Sequence, residues 1–171
     1  MMDHDDLDTD KVREIFYTTK GGIDKVNAEI DARLRPNPNR PLSLFEKYIE
    51  ARLLRNPKAL KLPDMEITAL EVVYLSQQTR LQQLEVLDLR KNGFGDVGLD
   101  AIAHSDIFSN LKELDLRSNQ ITRLGMESLV KTRVLTKLEK LDLRTNQMGK
   151  RWQEKLLETG NFPKLKDLRV L

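Results

Sequence analysis

The chain has 171 residues, enough for one stack of repeats and a cap rather than two independent cores. Apolar residues make up 39% and charged residues 33%, a composition that excludes a disordered chain, and the absence of cysteine excludes disulfides, thiolate metal sites and cysteine nucleophiles. The net charge of +2 selects no partner class, and no apolar run approaches the roughly 20 residues of a membrane helix, so a cytoplasmic chain with no membrane contact is expected.

Residues 1–10 carry five aspartates and no Lys or Arg. This start lacks the basic-then-apolar order of a signal peptide, and it lacks the glycine turn and terminal Glu of a calcium loop, so it reads as a solvated acidic tail. Two helices are predicted over residues 9–35. Val12, Ile15 and Phe16 line the first, which stops at Gly21-Gly22; Ile23, Val26, Ile30 and Leu34 line the second. Both either extend a cap or form an arm that docks on a partner. Pro36, Pro38 and Pro41 make a stiff connector. Ser43 followed by Glu46 predicts a capping box opening a third helix, with Phe45, Tyr48, Ile49 and Leu53 turned towards the first of the repeats that begin near residue 57. Residues 1–56 thus divide as a tail and a helical cap from residues 57–171.

From residue 57 onward one interval governs the chain. Leu84-x-x-Leu87-x-Leu89, Leu111-x-x-Leu114-x-Leu116, Leu138-x-x-Leu141-x-Leu143 and Leu165-x-x-Leu168-x-Val170 begin 27 residues apart, and Leu60 and Leu62 extend the series backwards. Asn92, Asn119 and Asn146 keep the same step. So do three apolar columns: Ile67, Phe94, Ile121 and Met148; Leu75, Ile102, Leu129 and Leu156; Leu81, Phe108, Leu135 and Phe162. A unit too small to bury its own apolar face becomes stable by stacking on its neighbours. Each unit reads as a short strand and a helical return, illustrated by Leu124, Ser128, Leu129 and Val130. The strand alternates, with Leu87 and Leu89 inward and Val86, Asp88 and Arg90 outward. Parallel strands joined through helices predict right-handed crossovers and a curved sheet with helices outside.

The motifs LEVLDLRKN, LKELDLRSN and LEKLDLRTN resemble the leucine-rich repeat family, and the 27-residue period with Gly98 and Gly125 resembles its ribonuclease-inhibitor-like class. The resemblance covers about residues 57–171. It implies an α/β solenoid, a right-handed βα superhelix with a parallel concave sheet and, here, an N-terminal α-helical cap. It also implies that Asn92, Asn119 and Asn146 satisfy turn backbone, and that a protein partner binds the concave face. Met65 departs from the pattern where the first Asn belongs, and Arg151-Trp152 replace an apolar residue and a glycine.

The residues expected on the concave face are Val86, Asp88, Arg90, Glu113, Asp115, Arg117, Lys140, Asp142 and Arg144. The aspartate and arginine columns form either a self-neutralising ladder offset by diagonal pairs or a recognition stripe; Val86, Glu113 and Lys140 vary between repeats, as a specific surface requires. Trp152 either fills the core beside Arg151 or stands out as a contact residue between basic neighbours. Gly93, Gly95 and Gly98 fit a dinucleotide fingerprint with Glu113 or Asp115 downstream, but a sheet covered on both faces would not alternate with Asp88 and Arg90. His4 and His104 have no triad or zinc partner at a matching spacing, so no catalysis, cofactor or metal is expected. No nucleic acid is expected either, because aromatics do not interleave with the basic residues that follow Lys137. The alternatives to an adaptor are a regulator of a nucleotide hydrolase, since relatives of this repeat class activate small GTPases, and an assembly protein. The second rests on the last strand, whose open edge carries Lys164, Lys166 and Arg169 and could pair with another copy or a partner strand.

Overall fold

The computed structural model describes residues 42–149 and 151–170. The expectations for the acidic tail, the two front helices and the proline connector lie outside them. Helix α1 (Leu42–Arg55) leads into strand β1 (Ala59–Lys61), and strands and helices then alternate: α2 (Ala69–Leu75), β2 (Val86–Asp88), α3 (Gly95–His104), β3 (Glu113–Asp115), α4 (Arg123–Lys131), β4 (Lys140–Asp142), α5 (Arg151–Glu158) and β5 (Asp167–Arg169). Short 3₁₀ turns, Thr79–Leu81 and Asp106–Phe108, close two of the units.

The five strands form one sheet in chain order with every pair parallel. Its register is the sequence period itself: Leu60 faces Leu87, Leu87 faces Leu114, Leu114 faces Leu141 and Leu141 faces Leu168. Each unit therefore lays its leucines on the same positions of the next. Leu62, Leu89, Leu116 and Leu143 are fully buried in a single core with Leu75, Ile102, Leu129 and Leu156 from the helices. The apolar columns read from the sequence are buried throughout, except that Met148 is only partly so.

The strands are three residues long, so Arg90, Arg117 and Arg144 stand in the turns that come after them. Those turns are held by the asparagine column. The Oδ1 of Asn92 accepts from the Met65 and Ile67 amides at 2.8 and 3.2 Å, and its Nδ2 donates to the Leu62 and Leu89 carbonyls at 2.9 and 2.7 Å. Asn119 accepts from the Asn92 and Gly93 amides, and Asn146 from those of Asn119 and Ile121. Each copy satisfies the turn one repeat earlier, which is why Met65 can stand without a polar side chain of its own. Unpaired backbone in a buried turn would otherwise cost the desolvation of each group.

The helix starts carry further detail. Ser43 lies within α1, whose first described residue is Leu42. A capping box opens α2: Thr68 Oγ1 accepts from the Glu71 amide at 3.2 Å while the Thr68 amide donates to the Glu71 carboxylate at 2.9 Å. In α4 the buried residues are Gly125, Met126 and Leu129, whereas Leu124 is exposed. The helical face thus starts one residue later than the spacing from Leu124 suggested. Neighbouring helices are also tied by a polar clasp. The Asp96 carboxylate accepts from the Thr122 amide at 2.7 Å and from its hydroxyl at 2.6 Å. Gly125 is required beneath that clasp, because a Cβ there would sit 2.5 Å from the Asp96 carboxylate and 3.2 Å from its Cα.

At the front, α1 buries Phe45, Tyr48 and Ile49 against the first repeat. Arg80 reaches back to it, 2.6 Å from the Glu50 carboxylate and 3.0 Å from that of Glu46.

Candidate functional site: the open face of the sheet

Alternation along three-residue strands leaves two side chains of each strand on the face away from the leucine core. The register then brings the copies side by side. Val86, Glu113 and Lys140 form one row, and Asp88, Asp115 and Asp142 the next. Parallel neighbours at about 4.8 Å would place three carboxylates in mutual repulsion of roughly 1 kcal/mol per pair in water. The arginines answer this. Arg117 forks Asp115, with Nη2–Oδ2 at 2.6 Å and Nε–Oδ1 at 2.9 Å, and Arg144 forks Asp142 at 2.7 and 3.0 Å. Each Asp also accepts the backbone amide two residues on at 3.2 Å. The diagonal pairs expected from the sequence are the secondary contacts: Arg117 Nε stands 3.5 Å from Asp142, and Arg90 Nη1 3.9 Å from Asp115. The main pairing runs along the chain, not across it, because the turn folds each arginine back over its own strand.

The three rungs are not equivalent. Arg90 approaches Asp88 only to 3.6 Å and does not fork it. Burial accordingly pushes the Asp88 carboxyl above its ordinary range, with the Asp115 charge adding to it. At Asp142 burial pushes the same way, but the hydrogen bonds from Arg144 outweigh it and the carboxyl is held below its ordinary range. Asp88 and Asp142 are both buried, so the aspartate column is the floor of the face rather than its contact layer. The exposed or half-exposed groups are Val86, Glu113, Lys140 and the arginines. Glu113 and Lys140 approach each other to 3.8 Å across the strands. Together with Lys61 these side chains bound a shallow groove over Asp88 and Asp115. A second depression lies beside it at the turns, between Arg90, Lys91, Arg117 and Ser118.

Nine of the ten expected site residues thus share one face. Trp152 does not. It lies on α5 in the helical layer, half-buried against the core, with the Lys155 ammonium 4.4 Å from its ring centroid. Its column holds Gly98 and Gly125 in the preceding units, so the ring occupies space that the other helices leave to closer packing. Arg151 sits in a column with Leu70, Val97 and Leu124, all of which are exposed; that position is an outward one, and no core place was lost there. His104 is exposed on α3, with Nδ1 3.2 Å from the Asp100 carboxylate.

One ladder was missed in the sequence although it keeps the period. Lys58, Glu85, Lys112, Glu139 and Lys166 precede the five strands and alternate in sign. Glu85 is bound by Lys58 and Lys112 at 2.8 Å each, and Glu139 by Lys166 at 2.7 Å. The hydrogen bonds from Lys112 and then Lys58 hold the Glu85 carboxyl down to about 2. Comparing charged columns as well as apolar ones would have found it.

Among the described residues no cluster of His, Asp and Glu could hold a metal ion, and no helix is long and apolar enough to cross a membrane. No curated protein matches the chain. Residues 82–148 match the family model described as Leucine rich repeat, a span that runs from just before β2 to just before α5 and includes Asp88, Asp115 and Asp142.

Proposed function

We propose that the chain is a non-enzymatic adaptor whose repeats bind a protein partner on the concave, open face of the sheet. In this reading residues 1–56 serve as tail and cap and residues 57–171 as the binding repeats. One observation carries it. A row that changes chemistry at every strand, Val86, Glu113 and Lys140, stands in register above a repeated and internally paired floor. The floor repeats the same Asp and Arg residues on three successive strands and fits scaffold; the row differs on each of them and fits recognition. Leucine-rich repeats commonly mediate protein–protein contacts, which agrees with this division.

The test is site-specific photocrosslinking in native cell extract. A crosslinker at Val86 or Lys140 is expected to capture a partner that a crosslinker at exposed Leu157 does not. The double reversal Glu113→Lys with Lys140→Glu should remove that capture while circular dichroism stays unchanged. Capture from Leu157 alone, or capture indifferent to the reversal, would overturn the reading.

A further inference from the structure

The groove over Asp88 and Asp115 has an order of charges along its length. It crosses four strands, from Lys61 on β1, past Asp88 on β2 and Glu113 and Asp115 on β3, to Lys140 and Asp142 on β4. Arg144 cancels Asp142 through its fork. At the centre the carboxylates of Asp88, Glu113 and Asp115 face two guanidiniums. Arg117 forks Asp115, and the Arg90 side chain lies 3.6 Å from Asp88 and 3.9 Å from Asp115 without a hydrogen bond to either. Three carboxylates against two guanidiniums leave the centre negative. The ends are positive. Lys61 is exposed and stands in register with Asp88, yet makes no ion pair or side-chain hydrogen bond among the described residues. Arg52 and Arg55 border the depression in front, which shares Lys61. At the other end the Lys140 ammonium stands 3.8 Å from Glu113, beyond hydrogen-bond distance.

One acceptor at the centre is left over. Asp88 is 9% exposed and its Oδ1 accepts the Arg90 amide, but its Oδ2 accepts no hydrogen bond among the described residues. A buried carboxylate oxygen without a donor is costly, and a guanidinium is the donor whose fork serves two acceptors at once. Half-exposed Val86, two residues before Asp88 on the same face, offers an apolar wall to the stem of such a side chain. At about 4.8 Å per strand, β1 to β4 spans about 14 Å, so a cation over the centre needs an anion about 7 Å away on each side. Two residues of extended chain cover about 6.6–6.8 Å and point the same way. The complement is an extended segment that reads acidic-x-Arg-x-acidic. No Lys or Arg among the 171 residues has acidic residues two before and two after it, so this chain does not supply the segment to itself.

We propose that the groove takes an extended segment of a partner protein in which one arginine stands between two acidic residues, the arginine over Asp88 and Glu113 and the acids at Lys61 and Lys140. This deepens the concave-face reading and rests on it. The probe is the capped peptide Glu-Ala-Arg-Ala-Glu, titrated to millimolar concentration into the isotope-labelled full-length chain and followed by amide chemical shifts. The control, Arg-Ala-Glu-Ala-Glu, has the same composition and charge in another order. The first peptide is expected to shift the amides of Lys61, Asp88, Glu113 and Lys140 and to bind about tenfold more tightly than the control, a difference of about one charge-assisted hydrogen bond. Asp88→Asn with Glu113→Gln should erase that preference. Equal affinity for the two peptides on the unaltered chain, shifts centred away from β1–β4, or no shifts at all would overturn the proposal whatever the variant does. A preference that survives the double substitution would overturn it too. Order-selective peptide binding with no crosslinked capture from Val86 or Lys140 would uphold the charge order of the groove and sink the adaptor reading instead.

Discussion

Single residues in this fold carry costs that the repeat imposes on them. Asp64, Lys91, Ser118 and Thr145 occupy one column of the turns, and all four have positive φ, between 55° and 60°. The left-handed region costs an L-residue roughly 1–2 kcal/mol, and a β-branched side chain fits it worst. Thr145 is exposed, so relief there has no packing penalty. Thr145→Asn is expected to raise stability by about 0.5–1 kcal/mol in urea denaturation. The aspartates behave in opposite senses. Asp142, whose folded pKa is depressed, contributes stability that is present above its unfolded value near 3.9 and is lost as pH falls through the lower folded value. Asp88, whose folded pKa is raised, opposes folding at neutral pH, and that opposition fades as pH falls through its folded value towards the unfolded one. Asp142→Asn should therefore cost about 1–3 kcal/mol at pH 7 by breaking the Arg144 fork. Asp88→Asn keeps an acceptor for the Arg90 amide and should be neutral or stabilising at pH 7, with the difference gone near pH 3. Equal losses for the two substitutions would show that the rungs are alike.

Elements in this chain are set less by propensity than by what each unit must hand to the next. The strands of three residues and the repeat helices of seven to ten, α2 to α5, would not persist alone, since isolated helices shorter than about 12–15 residues are marginal in water. The asparagine turns and the Asp96–Thr122 clasp join them, and Gly125 sits at the tightest of those joints. Gly125→Ala is expected to destabilise by about 1–3 kcal/mol, because the new methyl group would sit 2.5 Å from the Asp96 carboxylate, which the Thr122 clasp holds in place, and 3.2 Å from the α3 backbone. A thermal melt compared with Ala101→Gly on the same layer would separate this clash from simple helix propensity. The strands, their register, the asparagine ladder and the shared face of Val86, Glu113 and Lys140 were all legible in the sequence, because a fixed period makes neighbours in space of residues 27 apart. What the period could not give was the direction of a side chain within its own unit. The arginines fold back along their strands, and α4 turns Met126 rather than Leu124 inward. These outcomes depend on where each three-residue strand ends, and a one-residue shift in that boundary rotates the next helix by about 100°.

At the scale of the whole molecule, a stack of similar units must avoid pairing in the wrong order. Leucine columns alone would let any unit sit on any other, since each presents the same buried surface. The row of Lys58, Glu85, Lys112, Glu139 and Lys166 gives the stack a parity: each unit attracts its immediate neighbours and repels a unit two steps away. Such surface pairs add little stability individually, and salt weakens them. Their effect lies in discrimination, where like charges in contact penalise a slipped arrangement. Glu85 is the best place to read it, because it is held by two lysines at once. Its carboxyl, held at about 2 rather than 4.5, supplies stability that is complete above pH 4.5 and disappears as pH falls through about 2. Glu85→Lys removes that contribution and sets three positive charges in a row. We expect it to lower the thermal midpoint at low ionic strength, with most of the loss recovered in 1 M salt, where the Debye length falls to about 3 Å. Inverting all five signs together should restore the midpoint at low salt, because the alternation returns although every charge has changed. If the fivefold inversion is as unstable as the single reversal, the row acts through individual side chains and not through its alternation.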